Sequence, residues 1–167
     1  MDEAESVVLK YRRKGALIDS NLLLLLFVGS YKRELIGTFK RVNTFVPEDY
    51  DVILRLVGYF SPVVTTPNIL TEVSNLAGYL PEPDRASCFS TFVNRLTLLT
   101  EHYVKSGDAV SSTIFQRLGL TDAAIEKLAK GKYLVITDDF ELSQRLASLG
   151  VDTLNFNHIR YLGWPIG

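Results

Sequence analysis

Short apolar runs of strand length alternate with longer stretches of helical spacing along most of this chain, the signature of successive βαβ units and a mostly parallel sheet. Gly15-Ala16-Leu17-Ile18 predicts a first strand, and residues 20–30, centred on Leu22 to Val28, predict a buried helix. Residues 31–60 predict one or two helices, because Val52, Ile53, Leu56 and Val57 recur at helical spacing between Pro47 and Tyr59. Pro62-Val63-Val64-Thr65 is a second extended run. Thr66-Pro67 then supplies a cap residue and a first-turn proline for a helix through about Tyr79. Pro81-Glu82-Pro83 marks a loop, and residues 86–99 predict a helix with Phe89, Val93 and Leu96 inward. Tyr103-Val104 predicts a brief strand, Asp108 to Leu118 a helix stopped by Gly119, and Thr121 the cap of a helix over 122–130. Tyr133-Leu134-Val135-Ile136-Thr137 is the clearest buried strand, and a helix over 140–149 and a strand from Val151 to Phe156 complete the alternation.

Composition changes this picture little. The chain has 167 residues, 47% of them hydrophobic and 22% charged, as expected of one globular domain over 1–167 without a linker or repeat. A formal net charge of −1 gives no bulk attraction to nucleic acid, so such binding requires local basic patches. The single cysteine, Cys88, excludes an internal disulfide and predicts a reducing, cytoplasmic setting; by its size it reads as a small core residue. The run Leu22 to Val28 is too short to span a bilayer, which needs about 20 apolar residues, and the acidic start Asp2-Glu3-Ala4-Glu5 predicts no signal peptide. No membrane partner is expected.

The candidate chemistry lies at the junctions between predicted strands and helices. Asp19 follows the first strand, Asp138-Asp139 follows the strand ending at Thr137, and Glu72 and Asp122 lie in early turns of predicted helices. Each acid has an ordinary explanation: Asp19 as an N-cap, Asp122 as a first-turn acid, Asp138 with Glu141 as a capping box. Glu72 and Asp122 fit that explanation less well, because Ile69 and Leu76, and Ile125 and Ala129, share their helix faces, and a carboxylate among core residues needs a partner. Open parallel sheets bind ligands beyond the carboxyl ends of their strands, so these acids can converge on one hard cation such as Mg²⁺ or Mn²⁺. A cation held that way suits phosphodiester hydrolysis, with one or two ions left open.

The same residues carry a resemblance. Ile18-Asp19-Ser20-Asn21-Leu22-Leu23 resembles the opening motif of the PIN-domain nucleases, Thr71-Glu72-Val73 their helix-borne second acid, and Gly119-Leu120-Thr121-Asp122-Ala123-Ala124-Ile125 their third. Val135-Ile136-Thr137-Asp138-Asp139-Phe140 resembles the fourth, and the order holds across a motif-bearing core of 15–156. The resemblance implies a PIN-like three-layer α/β/α sandwich around a mostly parallel sheet of about four or five strands. It implies a Mg²⁺- or Mn²⁺-dependent endoribonuclease acting on RNA. Such proteins are often the toxin of a toxin–antitoxin pair, with an antitoxin protein as partner, and often homodimers. Carried over residue by residue, Asp19, Glu72, Asp122 and Asp138 or Asp139 would bind the cation and perform catalysis, while Asn21 and Thr137 would orient acids or water. An acid directly after the threonine selects Asp138, the preferred reading and the fourth catalytic acid, and a one-residue gap selects Asp139, kept as a further metal ligand. Residues 31–62 exceed the corresponding region of the shortest toxins and are expected to form a helical insertion.

Two other functions compete. An aspartate-based phosphotransferase of the haloacid dehalogenase type requires Asp-x-Asp after the first strand, where this chain has Asp19-Ser20-Asn21. A catalytically inactive PIN-like scaffold, binding RNA or protein, needs no cluster of acids. Lys10 to Lys14, Lys32-Arg33 and Lys40-Arg41 are candidates for phosphate contacts or a solvated surface. His102 and His158 have no metal-binding spacing, and Trp164 reads as packing of the C-terminal tail.

Overall fold

The structure, a computed structural model, describes residues 2–162; the expectation for Trp164 lies outside the described residues. Five parallel strands form one sheet in the order β3-β2-β1-β4-β5: β1 (Ala16–Ile18), β2 (Val63–Thr65), β3 (Thr100–Glu101), β4 (Leu134–Thr137) and β5 (Thr153–Asn155). Helices flank the sheet: α1 (Glu3–Tyr11), α2 (Ser20–Tyr31), α3 (Pro47–Tyr59), α4 (Pro67–Ala77), α5 (Asp84–Leu96), α6 (Ser106–Ala109), α7 (Phe115–Leu118), α8 (Leu120–Ala129), α9 (Phe140–Ser148) and α10 (Phe156–Leu162). This is an α/β fold with the arrangement of a three-layer α/β/α sandwich, and the expected alternation is present. No helix among the described residues is long and apolar enough to cross a membrane.

The core follows from the two continuous apolar runs. Every residue of β1 and of β4 is buried, as parallel strands covered on both faces require. Residues 22–29 of α2 are all buried, because α3, α4 and α5 pack around it; a helix apolar on all sides has no face to offer water. Residues 31–62 contain a 3-10 turn at Arg33–Leu35, a series of turns and α3, and Ile36, Val42, Phe45, Ile53 and Leu56 from this stretch enter the core. Two polar ties secure the ends of the chain. Lys10 and the Tyr11 hydroxyl of α1 donate to Asp152 at 2.7 and 2.8 Å, and Arg160 of α10 pairs with buried Asp49 at the start of α3.

Several local expectations are corrected. An N-terminal helix that the basic run at 10–14 had hidden is present, closed by a reciprocal capping box between Asp2 and Glu5. The third strand lies at Thr100–Glu101 rather than Tyr103-Val104; it is a two-residue, exposed edge strand, so it carries no apolar pattern. On α5 the inward line runs through Cys88 and Phe92, whose ring meets Phe27 at 4.9 Å, and Val93 is 63% exposed. In place of one helix over 108–118 there are two short ones, Ser106–Ala109 and Phe115–Leu118. Helix α8 starts at Leu120 with Gly119 as its N-cap at φ +90°, a backbone conformation suited to glycine, so Thr121 is not the cap. Asp139, rather than Asp138, caps α9 by accepting from the Leu142 N–H at 3.0 Å.

Close packing of α2 on α3 makes one glycine testable. A Cβ on Gly29 would lie 2.3 Å from Cδ2 of the Tyr50 ring, whereas one on Gly58, also helical, would meet nothing within 4 Å. Gly29→Ala is expected to destabilise the fold by roughly 1–3 kcal/mol through overpacking, and Gly58→Ala to be neutral or to stabilise it by up to about 1 kcal/mol. Urea unfolding of the two variants checks this, and equal effects would contradict the packing.

Candidate functional site

Because all five strands run the same way, their carboxyl ends lie along one edge of the sheet, and β1 lies at its centre between β2 and β4. The residue after β1 is Asp19, which is 7% exposed and starts α2. Its Oδ1 accepts from the Ser20 N–H at 2.7 Å, and its Oδ2 accepts from the Thr137 hydroxyl at 2.6 Å. Thr137, fully buried at the end of β4, also accepts from the Asp139 N–H at 3.0 Å through the same oxygen. One hydroxyl thus fixes the first acid and the turn that carries the last two.

Glu72 joins the remaining elements. From α4 its Oε2 accepts from the Ser20 hydroxyl at 2.8 Å and its Oε1 from the Thr121 hydroxyl at 2.7 Å. Ser20 follows Asp19, and Thr121 precedes Asp122, so the Glu72 carboxylate is held between the neighbours of two other acids. Glu72 is exposed rather than among core residues, which corrects the reading of its helix face; the partners it needed are these two hydroxyls. Thr121, expected as a cap, instead serves this bridge. Sequence spacing does not reveal either contact, since each donor lies about fifty positions away, at separations of 52 and 49 residues.

The carboxylates of this edge act on one another electrostatically. Burial pushes the Asp122 carboxyl up to about 8, and the negative charges of Asp19, Glu72 and Asp139 add to the rise. Burial likewise raises Asp19 to about 6; the Thr137 and Ser20 hydrogen bonds act against this, while Asp138 and Asp139 reinforce it. Asp138 is also raised, first by burial and in part by Asp139, with the Asn21 amide and the Arg160 guanidinium opposing. Its Oδ1 is buried and has no hydrogen-bond partner. Asn21 therefore lies beside Asp138, and Asp139 is the acid of the pair felt by both Asp19 and Asp122. Asn157, which was not anticipated, donates from Nδ2 to the Asp138 carbonyl at 2.8 Å and fixes that turn from α10.

Among the described residues, no group of three or more His, Cys, Asp or Glu side chains is arranged to hold a metal ion. Asp19, Glu72 and Asp139 accept from hydroxyl and N–H donors, and a shared cation would draw them off some of these. The donor set nevertheless fits a hard divalent cation: it consists of carboxylate oxygens, it lacks thiol and imidazole, and it includes one buried carboxylate oxygen with nothing to pair with. Asp19, Glu72, Asp122, Asp138 and Asp139 are the residues that could provide it, the unpaired oxygen being Oδ1 of Asp138. A shallow cavity of about 240 Å³, lined by Pro67, Asn68, Thr71, Glu72, Leu120 and Thr121, opens next to the bridge.

The other candidate residues lie elsewhere. Lys10 pairs with Asp152 at 2.7 Å, Lys32 with Asp84 at 3.8 Å and Arg33 with Asp51, while Arg41 stacks 4.2 Å above the Tyr79 ring. These cations have intramolecular partners at the surface. His102 is 3.3 Å from the Tyr133 hydroxyl, a core-edge contact. Cys88 is buried, and burial raises its thiol to about 11, as for an inert core residue.

Both Asp19 and Asp122 bind a proton more tightly in the folded protein than at their ordinary value of 3.8. The associated stability is fully present below about pH 4 and is lost as pH rises through about 6 and then 8. Metal-free protein is therefore expected to melt at progressively lower temperature over that window. Asp122→Asn should restore more than about 1 kcal/mol near pH 8, the equivalent of one pKa unit, and change little near pH 4. Asp19→Asn should gain less, because the amide cannot accept as well from both Thr137 and Ser20. Thermal melts of the three proteins across pH check this; an Asp122→Asn melt no higher than wild type near pH 8 would show that the acids do not repel one another.

No family model matches the chain, and no curated protein or solved structure matches it either.

Proposed function

We propose that this chain is a divalent-cation-dependent endoribonuclease of the PIN type, with its active centre at the carboxyl edge of the sheet around Asp19. The observation that carries this reading is that the segments bearing Asp19, Glu72, Asp122 and Asp138-Asp139 are tied together at one edge of the sheet by the Ser20, Thr121 and Thr137 hydroxyls, with Asp122 raised by burial and by the neighbouring carboxylates. Gathering such groups costs stability, and a bound cation would offset that cost. The PIN-like motifs at 18–23, 71–73, 119–125 and 135–140 supply the same acids in the same order, and supply the expectation of RNA as substrate.

When bound, Mg²⁺ or Mn²⁺ supplies Lewis-acid stabilisation of charge on phosphoryl oxygens and eases deprotonation of the attacking water. The chain's own residues have distinct tasks. Asp19 is held by Thr137 and Ser20 at the centre of the edge, and Glu72 is steadied between Ser20 and Thr121. Asp122 contributes charge from the start of α8. Asp139 fits the fourth position better than Asp138 because it acts on both Asp19 and Asp122, while Asn21 orients Asp138. A toxin role with an antitoxin partner, and a homodimer, belong to the same proposal through the resemblance alone.

The satisfied hydrogen bonds of Glu72 favour a second reading, a PIN-like module that binds RNA or protein without cleaving. Purified wild type, Asp19→Asn, Asp138→Asn and Asp139→Asn incubated with mixed single-stranded and structured RNA in Mn²⁺, Mg²⁺ or EDTA separate the two. The nuclease reading expects metal-dependent cleavage by wild type, a loss of at least about 100-fold in Asp19→Asn, and a larger loss in Asp139→Asn than in Asp138→Asn. Absence of cleavage by folded wild type with either metal would overturn it in favour of the binding module.

A further inference from the structure

Among the described residues, the most deeply buried ion pair joins Arg160 of α10 to Asp49 at the start of α3, with side chains 12% and 5% exposed. Arg160 Nε donates to Asp49 Oδ1 at 3.1 Å, and its Nη2 donates to Asp49 Oδ2 and to the Thr44 carbonyl, the latter at 3.2 Å. The guanidinium lies 5.4 Å from the centre of the Phe45 ring. Every group in this seat thus comes from residues 44–49, inside the 31–62 segment. A buried pair is weak ground for stability, since an apolar pair of similar volume commonly serves as well, so the seat calls for another reason.

The same helix reaches the turn that bears Asp138. Asn157, three residues before Arg160 and on the same side of α10, donates from Nδ2 to the Asp138 carbonyl at 2.8 Å. The Arg160 charge already opposes the effect of burial on Asp138. Oδ1 of Asp138 is buried and, among the described residues, has no hydrogen-bond partner. A guanidinium this close to an unpaired carboxylate oxygen is its ready counter-ion, and an arginine keeps its charge at any pH the fold meets. Seated on Asp138 it would place a permanent positive charge in the acid cluster and repel a metal ion. Asp49 and the Thr44 carbonyl hold its donors elsewhere.

We infer that Asp49 is a positioning residue of the cation site: by seating Arg160 against the 31–62 segment it keeps the guanidinium off Asp138 and leaves the acid cluster open to a divalent cation. The inference rests on the nuclease reading for the cation, whereas the hold of Asp49 on Arg160 is read without metal. It gives the 31–62 segment a task at the site, although none of the candidate acids lies in it. A pair that only ties α10 to α3 would act on folding alone, and removing Arg160 could not then repair the loss of Asp49.

The experiment is calorimetric titration of Mn²⁺ into the full chain near pH 7 as wild type, Asp49→Asn, the double variant Asp49→Asn with Arg160→Met, and Arg160→Lys. Thermal melts without metal add Asp138→Asn, alone and on Asp49→Asn. Asp49→Asn should bind Mn²⁺ roughly 10- to 150-fold more weakly, the worth of a hydrogen bond between charged groups formed at Asp138. The double variant, with no guanidinium to enter the cluster, should regain wild-type affinity. Arg160→Lys keeps the charge but loses the fork to Asp49 and Thr44, so it should also bind more weakly, and it decides the question if Asp49→Asn does not fold. Without metal, Asp138→Asn should leave the wild-type melting temperature unchanged or higher, yet lower that of Asp49→Asn by about 2–4 °C, because there Arg160 depends on Asp138. Mn²⁺ binding by Asp49→Asn or Arg160→Lys as tight as by wild type overturns the inference and leaves the nuclease reading standing. So does a loss of affinity that Arg160→Met fails to repair, or an Asp138→Asn effect on melting that is the same with and without Asp49. Failure of wild type to bind Mn²⁺ removes the nuclease reading and the inference together.

Discussion

Parallel pairing of β1 between β2 and β4 is the constraint from which the rest of the site follows. In an all-parallel sheet every strand delivers its next residue to the same edge, and the central strand delivers its residue to the middle. Here that residue is Asp19. Its position cannot drift, because β1 is wholly buried before it and the apolar helix α2 is enclosed after it. The Thr137 hydroxyl then ties the end of β4 to the end of β1, so the turn bearing Asp138 and Asp139 is placed relative to Asp19 by one short hydrogen bond. Glu72 performs the corresponding task across α2, α4 and α8 through Ser20 and Thr121. Four separate segments are thus held by three hydroxyls, and no lysine or arginine takes part in that scaffold.

Such an arrangement works against stability. Burial favours the protonated form of Asp19 and Asp122, and the other carboxylates push in the same direction. The hydrophobic core supplied by β1, β4 and α2 offsets the cost of gathering these acids at one edge. Counter-charge is applied at a distance: Arg160 pairs with Asp49 and only moderates Asp138. A structural salt-bridge network would place its cations among the acids, whereas here the basic residues are spent on α1, the 31–62 segment and the surface. That division of charge supports the proposed cation site.

Elements with strong one-dimensional signals were legible in the sequence. Val135 and Ile136 mark β4, Leu22 to Val28 mark α2, and Thr66-Pro67 marks the start of α4, since burial and capping leave local traces. The edge strand Thr100–Glu101 was not, because exposed residues of an edge strand follow no apolar rule. Nor was the inward line of α5, where Cys88 and Phe92 are selected by the position of Phe27, a tertiary fact. The acids themselves could be picked out from their place after strands and in early helical turns. Their partners could not. Thr121 reads locally as a cap, and only the approach of α4 to α8 turns its hydroxyl toward Glu72; Arg160 and Asn157 reach Asp49 and Asp138 from a helix that sequence spacing did not suggest.

The proposed function requires that the carboxyl edge take up a divalent cation at the expense of protons. Calorimetric titration of Mn²⁺ into the wild-type protein near pH 7, repeated in two buffers of different ionisation enthalpy, measures both at once. Binding accompanied by proton release, with affinity and released protons both reduced in Asp122→Asn, is the result the account predicts, because a carboxyl raised to about 8 must ionise to become a ligand. Absence of binding, or binding with no proton released and no change in Asp122→Asn, would contradict it.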